Sequence, residues 1–231
     1  GSDNLIGGGR YHTISGSSSV IIGGSSNSIE AGRSASFIGA GTNNAVSRSR
    51  SGIVSGSSNL VSNTASLIGA GEANRVLSRA SMCSAGQNNS ISALASFIGA
   101  GSSNEIKSLG TGSGAVIVGG SLNIIGSAAG SYGSGSFIGA GNNNTASGNQ
   151  SVVVGGSFNQ SLKLKTTIVG GMSNRTLSDL CFVGGGVGND AGTAGATGGT
   201  GVAAFVGGGS GNKANGRLSV VVGGERHLAL G

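Results

Sequence analysis

The sequence predicts an all-β fold, a parallel β-solenoid of about fourteen 15-residue coils. Three observations carry this. Near-copies of one phrase recur from end to end, as in "SFIGAGSSN" at 96–104 and "SFIGAGNNN" at 136–144. A β-branched residue holds nearly the same place in every copy. Gly supplies 50 of the 231 residues while Pro and Trp are absent, and only 9% of residues are charged and 3% aromatic. Gly at this level without a strict every-third pattern and without Pro excludes collagen, and the ladder of Ile and Val argues against plain disorder.

Aligning the copies on the Asn that closes each phrase sets out the repeat. The closing residues are His12, Asn27, Asn44, Asn59, Asn74, Asn89, Asn104, Asn123, Asn144, Asn159, Asn174, Asn189, Asn212 and His227. Their spacing is 15, with insertions of 2, 4, 6 and 8. An apolar triplet starts seven residues earlier. Its middle position runs Ile6, Ile21, Ile38, Ile53, Ile68, Cys83, Ile98, Ile117, Ile138, Val153, Ile168, Val183, Val206 and Val221. Thirteen of these fourteen are β-branched, as a packed strand prefers. The flanking positions face the other way and trade volume: Phe37 with Gly39 and Phe137 with Gly139, but Val20 with Ile22 and Val152 with Val154. Such compensation predicts close packing on that face too. Composition does not distinguish the inner face from the outer. A thin coil buries one of them, so the other, an apolar stripe along the chain, needs a partner.

A second apolar column follows each Asn by two residues, from Ile14 and Ile29 to the smaller Ala214 and Ala229. The residue before it is mostly polar, as in Arg75, Glu105 and Asp190, and should face outward. Each unit therefore reads as strand, Gly-rich turn closing on Asn, second strand and Ser/Gly return. At about 4.8 Å per coil, fourteen coils predict a rod of roughly 65 Å. Gly permits tight corners, and Asn tolerates the left-handed region while its amide can bond the turn backbone or the Asn one coil away. A lone coil cannot offset its chain entropy, so stability must come from neighbouring coils. The repeat covers residues 1–231 as a single domain; it reaches both ends, and Gly1-Ser2 reads as a cloning remnant, which predicts a segment of a longer fibre.

The insertions fall in the return, around Ala31–Ser36, Ser108–Ala115, Gly126–Ser136 and Ala191–Ala204. Loops on one edge of a rigid scaffold are natural recognition sites. The bland alternative is a tolerated Gly/Ser linker, which suits the Gly/Ala/Thr run at 191–204 best. Lys107, Ser108 and Tyr132 are the loop candidates for ligand contact, with the basic residues Arg33, Arg48 and Arg50. The formal charge is +6, but its cations are scattered without interleaved aromatics, which argues against nucleic acid and for a solvated basic face. No apolar run is long enough to span a bilayer, and no signal peptide opens the chain.

The chemical motifs are weak. "GGGVGN" at 184–189 lacks the following helix that a phosphate-binding loop needs. His12 and His227 replace the closing Asn and have no nearby partners for a metal or a proton. Cys83 and Cys181 are six coils apart, about 29 Å at 4.8 Å per coil, and read as free thiols. The Asn-x-Ser/Thr triplets at Asn89 and Asn174 arise from two repeat columns rather than from glycosylation. The acidic residues are dispersed. No catalytic residue, metal site or cofactor is expected.

The phrases "SVVVGGSFNQS" at 151–161, "SFIGAGNNNTASG" at 136–148 and "SVIIGGSSNSIEAG" at 19–32 resemble the head repeats of trimeric autotransporter adhesins. Similar repeats occur in trimeric fibres of phages and large viruses. The resemblance spans essentially the whole chain, although the unit here is one residue longer and adds the Asn column. It implies a left-handed β-roll, three rolls packed through their inner strands, and a place on a cell or virion surface. Its shared positions are structural, so it implies no binding residue. The expected function is a homotrimeric surface-fibre or adhesin segment that presents or mediates attachment to a host-cell glycan or protein. A purely structural stalk is the alternative. An ice-binding solenoid is remote, because the outward positions mix Arg, Glu, Ser and Lys instead of a flat Thr array.

Overall fold

The computed structural model describes residues 3–30, 34–107, 114–126, 133–195 and 200–230. Among them the chain is a parallel β-solenoid without helix. It divides into two compact units, Gly1–Ile106 and Lys107–Gly231, each built from seven coils. Every coil carries two strands of two residues. In the first unit the first strands run from Leu5–Ile6 to Phe97–Ile98 and the second strands from Thr13–Ile14 to Glu105–Ile106. In the second unit they run from Val116–Ile117 to Val220–Val221 and from Ile124–Ile125 to Leu228–Ala229. First strands pair only with first strands and second with second, always in parallel.

Register follows the repeat. Leu67 lies beside Met82 and Ile68 beside Cys83, a step of 15 residues. Where residues are inserted, the step lengthens to 17 from Val20 to Phe37, to 21 from Val116 to Phe137 and to 23 from Phe182 to Phe205, and the strands still match. A slip of one residue would turn every inward side chain outward, so the apolar pattern holds the register against the insertions.

The middle residue of the triplet points inward. Ile21, Ile38, Ile53, Ile68, Ile98, Ile117, Ile138 and Ile168 are fully buried, as is the second column from Ile29 to Ala214. Ile6, in the same inward column, is exposed on the side where no coil covers it, which shows that burial comes from stacked neighbours. In the second unit the second column shrinks to Ala146, Ser161, Thr176, Ala191 and Ala214. There the hydroxyls bond one another: Ser161 Oγ lies 2.7 Å from Thr166 Oγ1, and Thr176 Oγ1 donates to Ser161 Oγ at 3.5 Å.

Two polar columns complete the interior. Each closing Asn is buried and bridges coils. Asn44 accepts nothing from solvent: its Nδ2 donates to Gly56 O at 2.8 Å and Ala40 O at 3.2 Å, and its Oδ1 accepts from Asn59 N at 3.1 Å. The same pattern recurs at Asn59, Asn74, Asn89, Asn159 and Asn174. The Ser that precedes most first strands does the analogous work at the opposite corner, as where Ser51 Oγ donates to Asn63 O at 2.7 Å and accepts from Ser66 N at 3.2 Å. Buried polar groups are tolerated because they find partners; among the described residues only His12 Nε2, in the closing slot of the first coil, has none.

The closing Asn does not use the left-handed region that Asn tolerates. Its backbone is held by the ladder, and the preceding residue takes the turn: Ser26, Asn43, Ser58, Ala73, Asn88 and Phe158 have φ between 54° and 56°. The last residue of the return is also left-handed, as at Arg50, Ala65, Ala80 and Lys165. A third left-handed site lies three residues before the Asn and is Gly in every coil, with φ from 85° to 105°. At Gly41 a Cβ would strike the carbonyl of Gly56 on the next coil as well as the Asn44 amide, so both conformation and space require Gly.

Cys83 replaces Ile in the inward column and Cys181 replaces Ser, donating from Sγ to Gly201 O at 3.1 Å where the Ser hydroxyls donate elsewhere. Both thiols are free and buried. Burial pushes the Cys83 thiol from 9.0 up to about 11, against a smaller lowering by the Ala85 carbonyl contact, and burial likewise raises Cys181.

Three outcomes follow from this packing. Asn74→Ala leaves Asn89 N without its acceptor and Ala70 O without its side-chain donor, takes one of two donors from Gly86 O, and should cost about 3 kcal/mol or more in denaturant unfolding. Asn88→Ala, at the exposed left-handed site that Ala73 already occupies one coil away, should change stability by less than about 0.5 kcal/mol. For the thiols, the folded state holds its protons more tightly than the unfolded chain. Stability is therefore intact below pH 9 and should fall as pH rises from 9.0 to about 11, while Cys83→Val should flatten that loss, as read from melting temperature against pH.

Candidate functional site

The outer surface of each coil is set by the residues that flank the inward columns. On the first sheet these are the volume-trading pairs. Phe37 lies over Gly39, where a Cβ would come within 3.3 Å of the ring, and Phe137 lies over Gly139 in the same way at 3.4 Å. The Gly is doubly required, because a Cβ there would also strike the carbonyl of Val54 or Val154 on the neighbouring coil. The trade seen in the sequence is therefore made on the outer face. Ile22 and Val54 in the first unit stay 56% and 48% exposed, and Val118 and Val154 in the second 49% and 47%. Phe182 and Phe205, in register on adjacent coils, stack with ring centroids 5.2 Å apart and planes 4° from parallel. Each unit thus presents an apolar sheet face to solvent.

The second sheet is polar outside. Its outward residues in the second unit include Gln160, Arg175 and Asp190, three in a row along adjacent coils. Arg175 grips Asp190 with both prongs, Nε to Oδ1 and Nη2 to Oδ2, each at 2.8 Å. The hydrogen bonds first and the carboxylate charge second raise the guanidinium further above its usual range. Asp190 is the exception to the expected outward polar column, for its carboxylate is nearly buried under that guanidinium. The sequence signal for the pair was opposite charge at a separation of 15, one full coil, which places the two side by side.

Between the sheets runs a bridged row of mostly polar residues, in which Gln87 Nε2 donates to Glu72 Oε2 at 3.0 Å and Asn142 Nδ2 to Ser121 Oγ at 2.6 Å. In the second unit two successive members of this row, Met172 and Val187, are apolar and each 45% exposed.

Of the residues nominated for ligand contact, Arg48 and Arg50 lie in the first unit and Lys107 in the second. Arg48 and Arg50 share a return and are both exposed; their backbones are tied down by Ser36 Oγ donating to Arg48 O at 2.9 Å and by Arg50 N donating to Ser34 O at 2.9 Å. Lys107 belongs to the second unit, half-exposed, with its N–H donating to Ile125 O at 2.8 Å. Arg33, Ser108 and Tyr132 lie outside the described residues, as do parts of all four insertions.

The other singled-out residues have structural uses. His12 Nδ1 accepts from Asn27 N at 3.3 Å and His227 N donates to Asn212 Oδ1 at 2.9 Å, so both occupy the Asn slot. The amide nitrogens of Asn89 and Asn174 are buried and committed to the ladder. Among the described residues no three His, Cys, Asp or Glu side chains come together, and no helix is long and apolar enough to cross a membrane.

No protein-family model matches the chain, and no curated protein matches it in sequence.

Proposed function

We propose that this chain is a segment of a surface fibre, extracellular on a cell or a virion, in which copies of the chain associate through the first-sheet face and carry attachment to a host-cell surface. One observation supports this above the others: the outward residues of the first sheet are apolar and volume-matched in both units, yet remain exposed in the single chain. Matched packing on a face open to water has no use in a monomer. A second copy of the same face supplies the missing partner, because the matching positions recur at the same 15-residue step. The left hand of the roll and the number three follow from the resemblance to adhesin head repeats.

A structural stalk is the second reading. It is favoured by the Asn and Ser ladders, which commit the repeated polar side chains to holding one coil on the next. The two readings separate in a cell-binding assay on the chain with residues 108–114 and 127–135 shortened. Binding lost with those loops places recognition there. Absence of binding by the unaltered chain leaves the stalk.

Association is tested by solution mass from light scattering on a sizing column. The expected value is near three times the 21.8 kDa chain, about 65 kDa. Val154→Glu changes only an exposed side chain of the isolated coil, and should return the mass to 21.8 kDa without unfolding it. A wild-type monomer would overturn the reading. Ile138→Ala, by contrast, empties a fully buried site and should destabilise the chain itself by about 2–5 kcal/mol.

A further inference from the structure

A groove of about 380 Å³ opens on the second-sheet side of the second unit, lined by Phe158, Gln160, Ser173, Arg175, Gly188 and Asp190. Its origin is legible in the repeat. Phe158, Ser173 and Gly188 occupy the same left-handed position before the closing Asn on three successive coils, and Gln160, Arg175 and Asp190 occupy the outward strand position on the same three. At Gly188 a Cβ would meet nothing within 4 Å, so the missing side chain leaves open space between a tall aromatic wall and a polar one. Its volume lies at the small end of the range, roughly 300–1,000 Å³, that small-ligand sites occupy.

The chemistry of the walls is mixed and paired. Phe158, 51% exposed, offers an aromatic ring free to receive the C–H face of a ligand. Gln160 supplies an amide that both donates and accepts. Arg175 uses two of its five N–H groups on Asp190 and keeps three, and each Asp190 oxygen that accepts one of these bonds keeps a lone pair. Ser173 adds a hydroxyl. The guanidinium and carboxylate cancel in charge, so the groove offers an anion no net attraction. Lys213, in register with Asp190 on the following coil, does not line it.

A ligand matching these walls has one apolar ring face and adjacent hydroxyls that each donate and accept. We infer that the groove binds a neutral saccharide, with a pyranose ring against Phe158 and vicinal hydroxyls on Gln160 and the Arg175–Asp190 pair. This rests on the attachment reading and names its receptor as a neutral glycan.

The test uses the full chain on a printed panel of neutral hexose oligosaccharides, with sialylated and sulfated glycans for comparison, followed by calorimetric titration of the best neutral binder. Neutral glycans should bind. Phe158→Ala removes the platform. Gly188→Asn fills the floor with a residue that the repeat already carries at this left-handed position in Asn43, Asn88 and Asn143. Each variant should weaken binding by about tenfold or more with mass and melting temperature unchanged. Asp190→Asn leaves the Arg175 charge uncompensated and should shift preference toward sialylated and sulfated glycans. Neutral binding that survives both of the first two variants, or wild-type binding confined to acidic glycans, overturns the inference. Cell attachment separates the two claims: attachment kept by Phe158→Ala and Gly188→Asn leaves the attachment reading standing without this groove, whereas neutral-glycan binding without cell attachment leaves the groove and removes the attachment reading.

Discussion

The rest of the structure depends on how closely one coil can lie on the next. At the corner before each closing Asn, a Gly with φ near 100° lets its neighbour's carbonyl approach where any Cβ would collide, and the Asn amide spans the gap in both directions. Two further residues per coil are left-handed, most of them not Gly, which is unfavourable for each residue taken alone. They persist because the backbone bonds on both sides over-determine them. Asn43 N, for example, donates to Ser25 O across the coils at 3.0 Å, and Ser58 N to Thr42 O at 2.9 Å. The turns and the stacking are therefore one device, and neither exists without the other.

A coil this small has room inside for four columns only: Ser, Ile or Val, Asn, and a second aliphatic or small residue. Half of them are polar, so the hydrophobic contribution per coil is modest and hydrogen-bonded ladders carry a large share of the order. The remaining apolar residues of the first strand have nowhere to go but outward. That is why packing signatures appear on a surface that a single chain leaves in water. The two units solve the interior differently. The first fills its second column with Ile and Val, and the second substitutes Ala, Ser and Thr with hydroxyl contacts.

Much of this was readable from residue spacing. The Ile column, the Asn bridge, the shrinking second column and the confinement of insertions to the return all follow from a fixed period, because stacked repeats place equivalent residues in contact. The place of the left-handed turn is not readable in the sequence, since Asn tolerates that region intrinsically and the ladder that holds it out of that region is a contact between coils. Ala73, Leu122 and Phe158 took the strained place instead, and residue preference gives no hint of it. The Arg175–Asp190 pair lay in plain view at a separation of 15, but dispersal along the chain hid it. The candidate contacts Arg48, Arg50 and Lys107 were chosen by residue type and loop position, which carry no information about convergence.

The amino-acid sequence by itself determined the coil length, the parallel pairing partners, the register and the Ile, Asn and second apolar columns, because periodicity alone states which residues meet. Only the tertiary structure decided which strand face points inward. Both faces are apolar, and the choice depends on the curvature of the backbone at three left-handed corners rather than on the side chains between them. The same curvature decided that the volume-matched pairs face outward and that an absent side chain at Gly188 becomes a groove, for a void is a property of how neighbours are placed and not of any residue in the chain.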